Sequence, residues 1–300
     1  MESLVYVNGE FVAKSKATVS VFDHGLLYGD GVFEGIRAYN GIVFRLDDHV
    51  ERLFDSSKVI HLEIPMTRHE MAEAILETLR SNNLRDAYIR VVVTRGTGDL
   101  GVDPSLCKEP TVLIISEPAK SALASAAPRV VSLVISSVRR DPVDGTTHEV
   151  KSLNYLNSIM ARMEAQRAGG DDALMLDHRG FVSEASVSNV FAVKDKKIFT
   201  PAASAGILHG ITRARMMRLC ADLGLDVAER DVTPFELLTA DEVFLVGTKA
   251  ELLAVGSISG TKIGSGTAGP VSRRLFLEFG KVVQRREEGT AAYEAQSVNL

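Results

Sequence analysis

The chain has 300 residues, 45% hydrophobic and 24% charged, an ordinary globular composition with enough length for one large core or two smaller ones. A formal net charge of −5 with no basic block argues against a nucleic-acid partner. The start, MESLVYVNGE, lacks the basic and apolar regions of a signal peptide, no apolar run reaches membrane-spanning length, and the distant Cys107 and Cys220 imply no disulfide framework, so a cytoplasmic protein without a membrane partner is expected.

The predicted elements begin with two hairpins. LVYV and EFVA flank Asn8-Gly9, and FEGIRAY and IVFRL flank Asn40-Gly41; Asn-Gly favours the positive φ of a type I′ turn. Asp47 or Asp48 can cap a helix carrying Val50, Leu53 and Phe54, and Thr67 with Glu70 forms a capping box ahead of Met71, Ile75 and Leu79. Strand candidates Tyr88–Thr94 and Thr111–Ser116 follow. The small, weakly periodic stretch 118–128, PAKSALASAAP, reads as a linker between an N-terminal domain, 1–117, and a C-terminal domain, 129–300, the alternative being a long loop inside one domain.

In the second half RVVSLVISS reads as a strand. Lys151 opens a predicted helix over Ser152–Arg167, with Leu153, Leu156, Ile159, Met160 and Met163 on one face. ALML and FVSE flank a turn at 177–180, and VFAV and IFT flank 194–197. A helix starts near Ile211, the strand VFLVG ends at Gly247, and Val271–Arg286 is the last helix. The polar end from about residue 287 is expected to be a loose tail.

Several residues carry chemistry only in combination. Gly96-Thr-Gly98-Asp-Leu-Gly101 matches GxGxxG after a strand, but Val-Asp-Pro104 follows where a dinucleotide fold needs a helix, so a turn or active-site loop is expected. The seven histidines show no ligand spacing, and no metal site is expected. In helical register Lys151 and Tyr155 share a face, a workable Schiff-base arrangement or simply a solvated helix start. Glu184 ends FVSE, where a carboxylate can pair with a pyridinium nitrogen or lie at the surface. Gly210-Ile211-Thr212 offers helix N-terminal N–H groups to an anion, or a plain cap, and Gly247-Thr248 is a strand end suited to a phosphate, a carboxylate or an ordinary turn. Periodicity makes Arg52 solvent-facing, whereas Arg37 and Arg90 lie inside apolar strands and need partners, a structural salt bridge included.

Taken in order, these segments resemble the class IV (fold type IV) pyridoxal 5′-phosphate (PLP) aminotransferases, of the branched-chain type, from about residue 4 to residue 280. HGLLYGDGVFEGIRAYNG (24–41), HVERLFDSSKV (49–59), EVKSLNYLNSIMA (149–161) and the stretch from GFVSEASVSNVFAV through GILHGITRARM to ADEVFLVGTKAE (180–251) carry the likeness. The resemblance implies an α+β, two-domain fold, with a smaller N-terminal α/β sandwich and a larger, barrel-like C-terminal domain with helices.

By the same resemblance Lys151 is the Schiff-base lysine and proton carrier, and Arg52 binds the phosphate, which overrides the solvent reading. Tyr155 meets the cofactor's 3-oxygen, Glu184 its ring nitrogen, Leu208 its ring, and Ile211, Thr212 and Thr248 its phosphate. Phe33, Arg37, Tyr88 and Arg90 line the substrate pocket, with Tyr28 at its edge from a partner subunit of a homodimer. The implied reaction moves the amino group of L-leucine, L-isoleucine or L-valine to 2-oxoglutarate by a ping-pong cycle.

Three features depart from the branched-chain pattern. Three residues, not four, separate Lys151 from Tyr155, a form shared with D-amino acid aminotransferases and aminodeoxychorismate lyases. Lys249 follows Thr248, where it meets the substrate carboxylate or solvent, and Pro118-Ala119 replaces an aromatic of some relatives. The alternatives within the family are a D-amino acid aminotransferase, an (R)-amine transaminase and the lyase; outside its activities stands a PLP-binding protein without turnover.

Overall fold

A computed structural model of the chain describes residues 2–293. The chain divides into two compact units. The first comprises Met1–Ser121, the short segment Val150–Asn154 and the chain from Val283; the second comprises Ala122–Glu149 and Tyr155–Val282.

The first unit is a sheet backed by two helices. Its elements are β1 (Leu4–Val7), β2 (Glu10–Ala13), α1 (His24–Tyr28), β3 (Gly31–Tyr39), β4 (Ile42–Phe44), α2 (Leu46–Val59), α3 (Arg68–Ser81), β5 (Ala87–Thr94), β6 (Thr111–Pro118) and, from the far end of the chain, β16 (Gly289–Ala291). The strand order is β16-β4-β3-β5-β6-β1-β2. Both predicted Asn-Gly turns form, with φ of 48° and 97° at Asn8-Gly9 and 48° and 81° at Asn40-Gly41.

Strand alternation divides β3 by role. Val32, Ile36 and Ala38 join a core with Val50 and Leu53 of α2 and Met71, Ile75 and Leu79 of α3. Phe33, Gly35 and Arg37 point to the opposite face, paired with Val92, Arg90 and Tyr88 of β5.

Two helix starts differ in mechanism. The Thr67–Glu70 capping box is present on α3. On α2 the cap residue is Arg45, in the left-handed region at φ 50°, and Asp47 and Asp48 instead occupy the first turn, where they favour the positive helix end. The expected loose tail is corrected over its described part: Gly289–Ala291 pairs with Ile42–Phe44, and the Tyr293 hydroxyl donates to the Leu79 and Leu84 carbonyls, while the expectation for residues 294–300 lies outside the described residues.

The second unit contains β7 (Val130–Ile135), α4 (Leu156–Arg167), β8 (Asp172–Leu176), β9 (Val182–Ala185), β10 (Asn189–Lys194), β11 (Lys197–Pro201), α5 (Ile211–Asp222), β12 (Val227–Arg230), α6 (Pro234–Leu238), β13 (Glu242–Gly247), β14 (Glu251–Ile258), β15 (Thr261–Lys262) and α7 (Pro270–Val282). Its sheet runs β12-β11-β10-β13-β14-β7-β8-β9, with β15 on β14. Hydrogen bonds from the Ala185 amide to the Ser188 carbonyl and from the Asn189 amide side chain to Glu184 bring β9 back beside β10, so the sheet curls into a half-barrel. Val131, Leu133, Leu174, Val190 and Leu245 pack inside it.

The helix predicted from Lys151 begins later. Tyr155 is the cap of α4. Residues 150–154 stay out of the helix because they pair with the first unit's sheet: the Phe33 amide donates to the Lys151 carbonyl at 3.0 Å, and Leu153 donates to Gly31 at 2.9 Å. Nor does α4 bury its predicted apolar stripe. It packs through Ser158, Ala161 and Ala165, leaving Leu156, Ile159, Met160 and Met163 exposed. Among the described residues no helix is long and apolar enough to cross a membrane.

Candidate active site

In the first unit the outward face of β3 and β5 collects four of the expected residues and brings Lys151 to them. Val92, Arg90 and Tyr88 lie on the same side of the sheet as Phe33, Gly35 and Arg37. The Arg90 guanidinium lies over the Phe33 ring at 3.4 Å, and the Lys151 ammonium lies 4.4 Å from the same ring. Phe33 therefore gathers two cations by cation–π attraction. The Lys151 main chain is fixed from two sides, its amide donating to the Ser56 hydroxyl of α2 at 3.2 Å and its carbonyl accepting from Phe33. An extended backbone held in this way aims the side chain, a role the predicted helix would have served by i, i+4 register.

Arg37 donates to the Ala119 carbonyl at 3.1 Å and stacks over Tyr39 at 5.1 Å. The Tyr88 hydroxyl fills the space a side chain at Gly35 would need. Tyr28, at the end of α1, accepts a hydrogen bond from the Gly101 amide at 2.9 Å, so the GxGxxG segment is a loop anchored to α1, with no helix beginning there.

The inward face of β3 holds a charged cluster that sequence spacing does not reveal. Glu34, fully buried, accepts two hydrogen bonds from Arg52 and one at 2.7 Å from His49 Nδ1. Burial opposes ionisation of Glu34, but the Arg52 guanidinium and His49 outweigh it and hold the carboxyl far below the usual carboxylate range. Burial pushes the His49 imidazole below its ordinary value, with Arg52 and Lys151 adding to the depression against the pull of Glu34. His49 is thus a neutral hydrogen-bond donor. The available signal is a glutamate in the middle of the apolar strand FEGIRAY, which must find a partner just as Arg37 must.

In the second unit Glu184 lies at the end of β9, 3% exposed. Its Oε2 accepts from the Asn189 amide at 2.8 Å, and the Leu208 backbone N–H reaches both oxygens at 3.3 Å. Arg140 Nη2 stands 3.3 Å and His148 Nε2 3.5 Å from Oε1. The His148 ring in turn lies 5.3 Å from the Tyr155 ring. Glu184, Leu208 and Tyr155 therefore belong to one contiguous cluster. Arg140, His148 and Asn189 lie 44, 36 and 5 residues from Glu184 in sequence, without local spacing to mark them.

The helix α5 begins at Ile211 with Gly210 as its cap and no side-chain cap bond, so Thr212 is not the cap. A side chain at Gly210 would collide with Asn189, which ties this helix start to the Glu184 cluster. Uncapped N–H groups on a 12-residue helix suit an anion. Thr248 and Lys249 occupy the turn from β13 to β14, closed by the pairing of Gly247 with Glu251; Thr248 is half-buried and Lys249 exposed in the isolated chain. Among the described residues no group of three or more His, Cys, Asp or Glu is arranged to hold a metal ion.

Residues 31–258 match the family described as amino-transferase class IV. The chain belongs to the class IV aminotransferases. A Methanocaldococcus jannaschii protein provisionally named a branched-chain-amino-acid aminotransferase is 48% identical over 97% of this chain and 99% of its own. The branched-chain-amino-acid aminotransferase of Pseudomonas aeruginosa is 36% identical over 97% of this chain and 96% of its own. Among solved structures, the branched-chain aminotransferase of Thermoproteus uzoniensis with norvaline is 36% identical, with a TM-score of 0.91 over 98% of this chain and 100% of that one. This class IV aminotransferase thus shares both its fold and nearly its whole length with branched-chain enzymes.

Proposed function

We propose that the protein transfers the amino group of L-branched-chain amino acids to 2-oxoglutarate, using pyridoxal 5′-phosphate and a ping-pong cycle. The observation that carries this reading is the joint placement of Lys151 and Arg90 on the Phe33 ring, beside Tyr88 and Arg37 on one sheet face. That face offers an amine, an aromatic wall for an apolar side chain, and guanidinium groups for a carboxylate.

The donor set fits the cofactor group by group. Lys151 supplies the amine that holds the aldehyde carbon, and the buried Glu184 carboxylate suits a protonated ring nitrogen. Tyr155 suits the 3-oxygen and Leu208 the ring. Arg52, the uncapped start of α5 at Ile211 and Thr212, and Thr248 suit the phosphate. When bound, the cofactor supplies an electron sink for the charge left on the substrate's Cα.

This chain's residues do the rest. Lys151, its main chain pinned on both sides, takes the Cα proton and returns it to the cofactor's C4′. Glu184 keeps the ring nitrogen protonated. Phe33 and Tyr88 receive the apolar side chain of leucine, isoleucine or valine. Arg90 rests on Phe33 for that half of the cycle and turns to the second carboxylate of glutamate or 2-oxoglutarate in the other, with Arg37 assisting. Lys249 adds positive charge at the turn that meets the α-carboxylate.

The working form is a homodimer, with Tyr28 at the edge of the partner's pocket. In its favour, the apolar side chains of Val21, Phe22, Leu26, Leu100 and Val102 are exposed in the single chain. The two cysteines are free, in keeping with the reducing cytoplasm. The stretch 118–128 contains the first passage of the chain between the two units, at Ser121–Ala122, while Val150–Asn154 and the chain from Val283 fall in the first unit and outside the simple division at 117 and 129.

Lys151→Ala tests the central assignment. Transamination should fall by more than about 10³-fold while the far-ultraviolet circular dichroism stays that of the native chain. Near-normal turnover in that variant contradicts the role of Lys151.

A further inference from the structure

Glu184 is surrounded by more binding capacity than an ordinary strand-end carboxylate needs, and one of its neighbours is a buried arginine. The Arg140 side chain is completely buried, at 0% exposure, which is rare for an arginine. Its Nη2 donates to the Ala185 carbonyl at 2.9 Å and stands 3.3 Å from Glu184 Oε1. Its Nη1 donates to the Ser158 hydroxyl at 2.9 Å, with the Asn157 side-chain oxygen at 3.4 Å. One guanidinium therefore grips the Glu184 carboxylate, the backbone beside it, and the first turn of α4. Its Nε is buried with no hydrogen-bond partner.

The grip has a chemical consequence. A buried carboxylate is expensive to keep charged unless a cation stands beside it. A charged carboxylate accepts a hydrogen bond from a protonated ring nitrogen. A neutral carboxyl would donate to that nitrogen instead and leave the ring without its proton, which weakens the electron sink. Arginine suits the task because it stays protonated at every working pH and its planar fork fixes direction as well as charge. His148 Nε2, at 3.5 Å from the same oxygen, and the Asn189 amide complete the cage, but neither carries a permanent charge.

We propose that Arg140 is a positioning residue that holds the Glu184 carboxylate charged and aimed for pairing with the cofactor's ring nitrogen. The proposal rests on the assignment of Glu184 given above, and it extends that assignment to a residue that acts through Glu184.

The test is a double-substitution cycle on the full chain with Arg140→Met, Glu184→Gln and the two together. It is read at pH 8, above the ordinary range of an imidazole, so that His148 does not substitute for the lost cation. Thermal unfolding is followed before and after removal of the cofactor, and the dissociation constant for PLP is measured for each variant. Arg140→Met should lower the unfolding midpoint of the cofactor-free chain by roughly 8 °C, because it strands a buried charge. Adding Glu184→Gln should restore at least half of that loss. PLP affinity should fall by roughly tenfold or more in Arg140→Met, and Arg140→Lys should recover part of it.

A double variant no more stable than Arg140→Met, or one that fails to fold along with it, overturns the proposal, since a merely structural arginine gives that result. Restored stability with wild-type PLP affinity in Arg140→Met also overturns it, leaving an ion pair without a positioning role. If Glu184→Gln alone turns over substrate like the wild type, the fault lies with the assignment of Glu184, and the proposal falls with it.

Discussion

Arg52 grips Glu34 through two parallel hydrogen bonds, Nε to Oε1 at 2.7 Å and Nη2 to Oε2 at 2.8 Å. This fork-on-fork geometry locks Arg52, proposed above to hold the phosphate, to the inward face of β3, while Phe33 and Arg37, proposed to meet substrate, lie on the outward face. On that reading a single strand aligns cofactor and substrate binding. Glu34→Gln removes one partner of a buried pair and should cost about 3 kcal/mol of stability, with weaker PLP binding as Arg52 loses its anchor. Urea unfolding with a PLP titration checks this; a loss below about 1 kcal/mol, the range of an exposed pair, would contradict it.

The same cluster sets the response to acid. Glu34 is depressed from 4.5, so its contribution is full above that value and is lost as pH falls through the lower folded value. His49 is a base depressed from 6.5, so the unfolded chain takes up a proton that the folded chain refuses. Stability should therefore already decline as pH falls below 6.5, by at most about 1.4 kcal/mol per pH unit for this one group. His49→Gln should flatten the decline that sets in below pH 6.5 and leave the more acidic limb in place. Equal slopes in the variant and the wild type would show that another group titrates there.

Gly35 is required by its neighbour across the sheet. A methyl group there would collide with the Tyr88 hydroxyl and come within 3.0 Å of Tyr88 Cζ. Gly35→Ala should swing Tyr88 off the pocket face, raising KM for leucine by about tenfold, the scale of a misfitted methylene, with an unchanged circular dichroism spectrum. An unaltered KM would remove Tyr88 from the leucine pocket.

Much of this arrangement is legible in sequence where the signal is local. Asn8-Gly9 and Asn40-Gly41 turn as their left-handed preference demands, and Thr67 with Glu70 caps α3. The order of the motifs points to the family that residues 31–258 match. The start of α4 is not legible, because the force that keeps 150–154 extended is pairing with Gly31 and Phe33, more than 100 residues away in sequence. The stripe of Leu156, Ile159, Met160 and Met163 imitates a core face, whereas the face actually buried consists of small residues that hydropathy periodicity does not weight. Arg140, His148 and His49 escape for a related reason: an ion pair between distant segments leaves no periodic trace. Only a charged residue inside an apolar strand, as with Glu34, gives such a cluster away.

Arg90 tests the dual-substrate pocket. Its guanidinium lies over Phe33 at 3.4 Å, and its proposed role is packing against an apolar substrate and charge toward an acidic one. Arg90→Ala should raise KM for 2-oxoglutarate by about tenfold or more, as expected for a lost charge-assisted hydrogen bond of about 1.5–3 kcal/mol, and change KM for leucine far less. Equal effects on both substrates would assign Arg90 to general packing.

The central claim is that this pocket turns over L-branched-chain amino acids, and the visible spectrum of the purified holoenzyme tests it most directly. L-Leucine and D-alanine are added in separate cuvettes without an acceptor, and the absorption band of the lysine-linked cofactor is followed through the first half of the cycle. Bleaching by L-leucine and none by D-alanine is the predicted result. Bleaching by D-alanine with an inert L-leucine would contradict the account and assign the site to a D-amino acid enzyme.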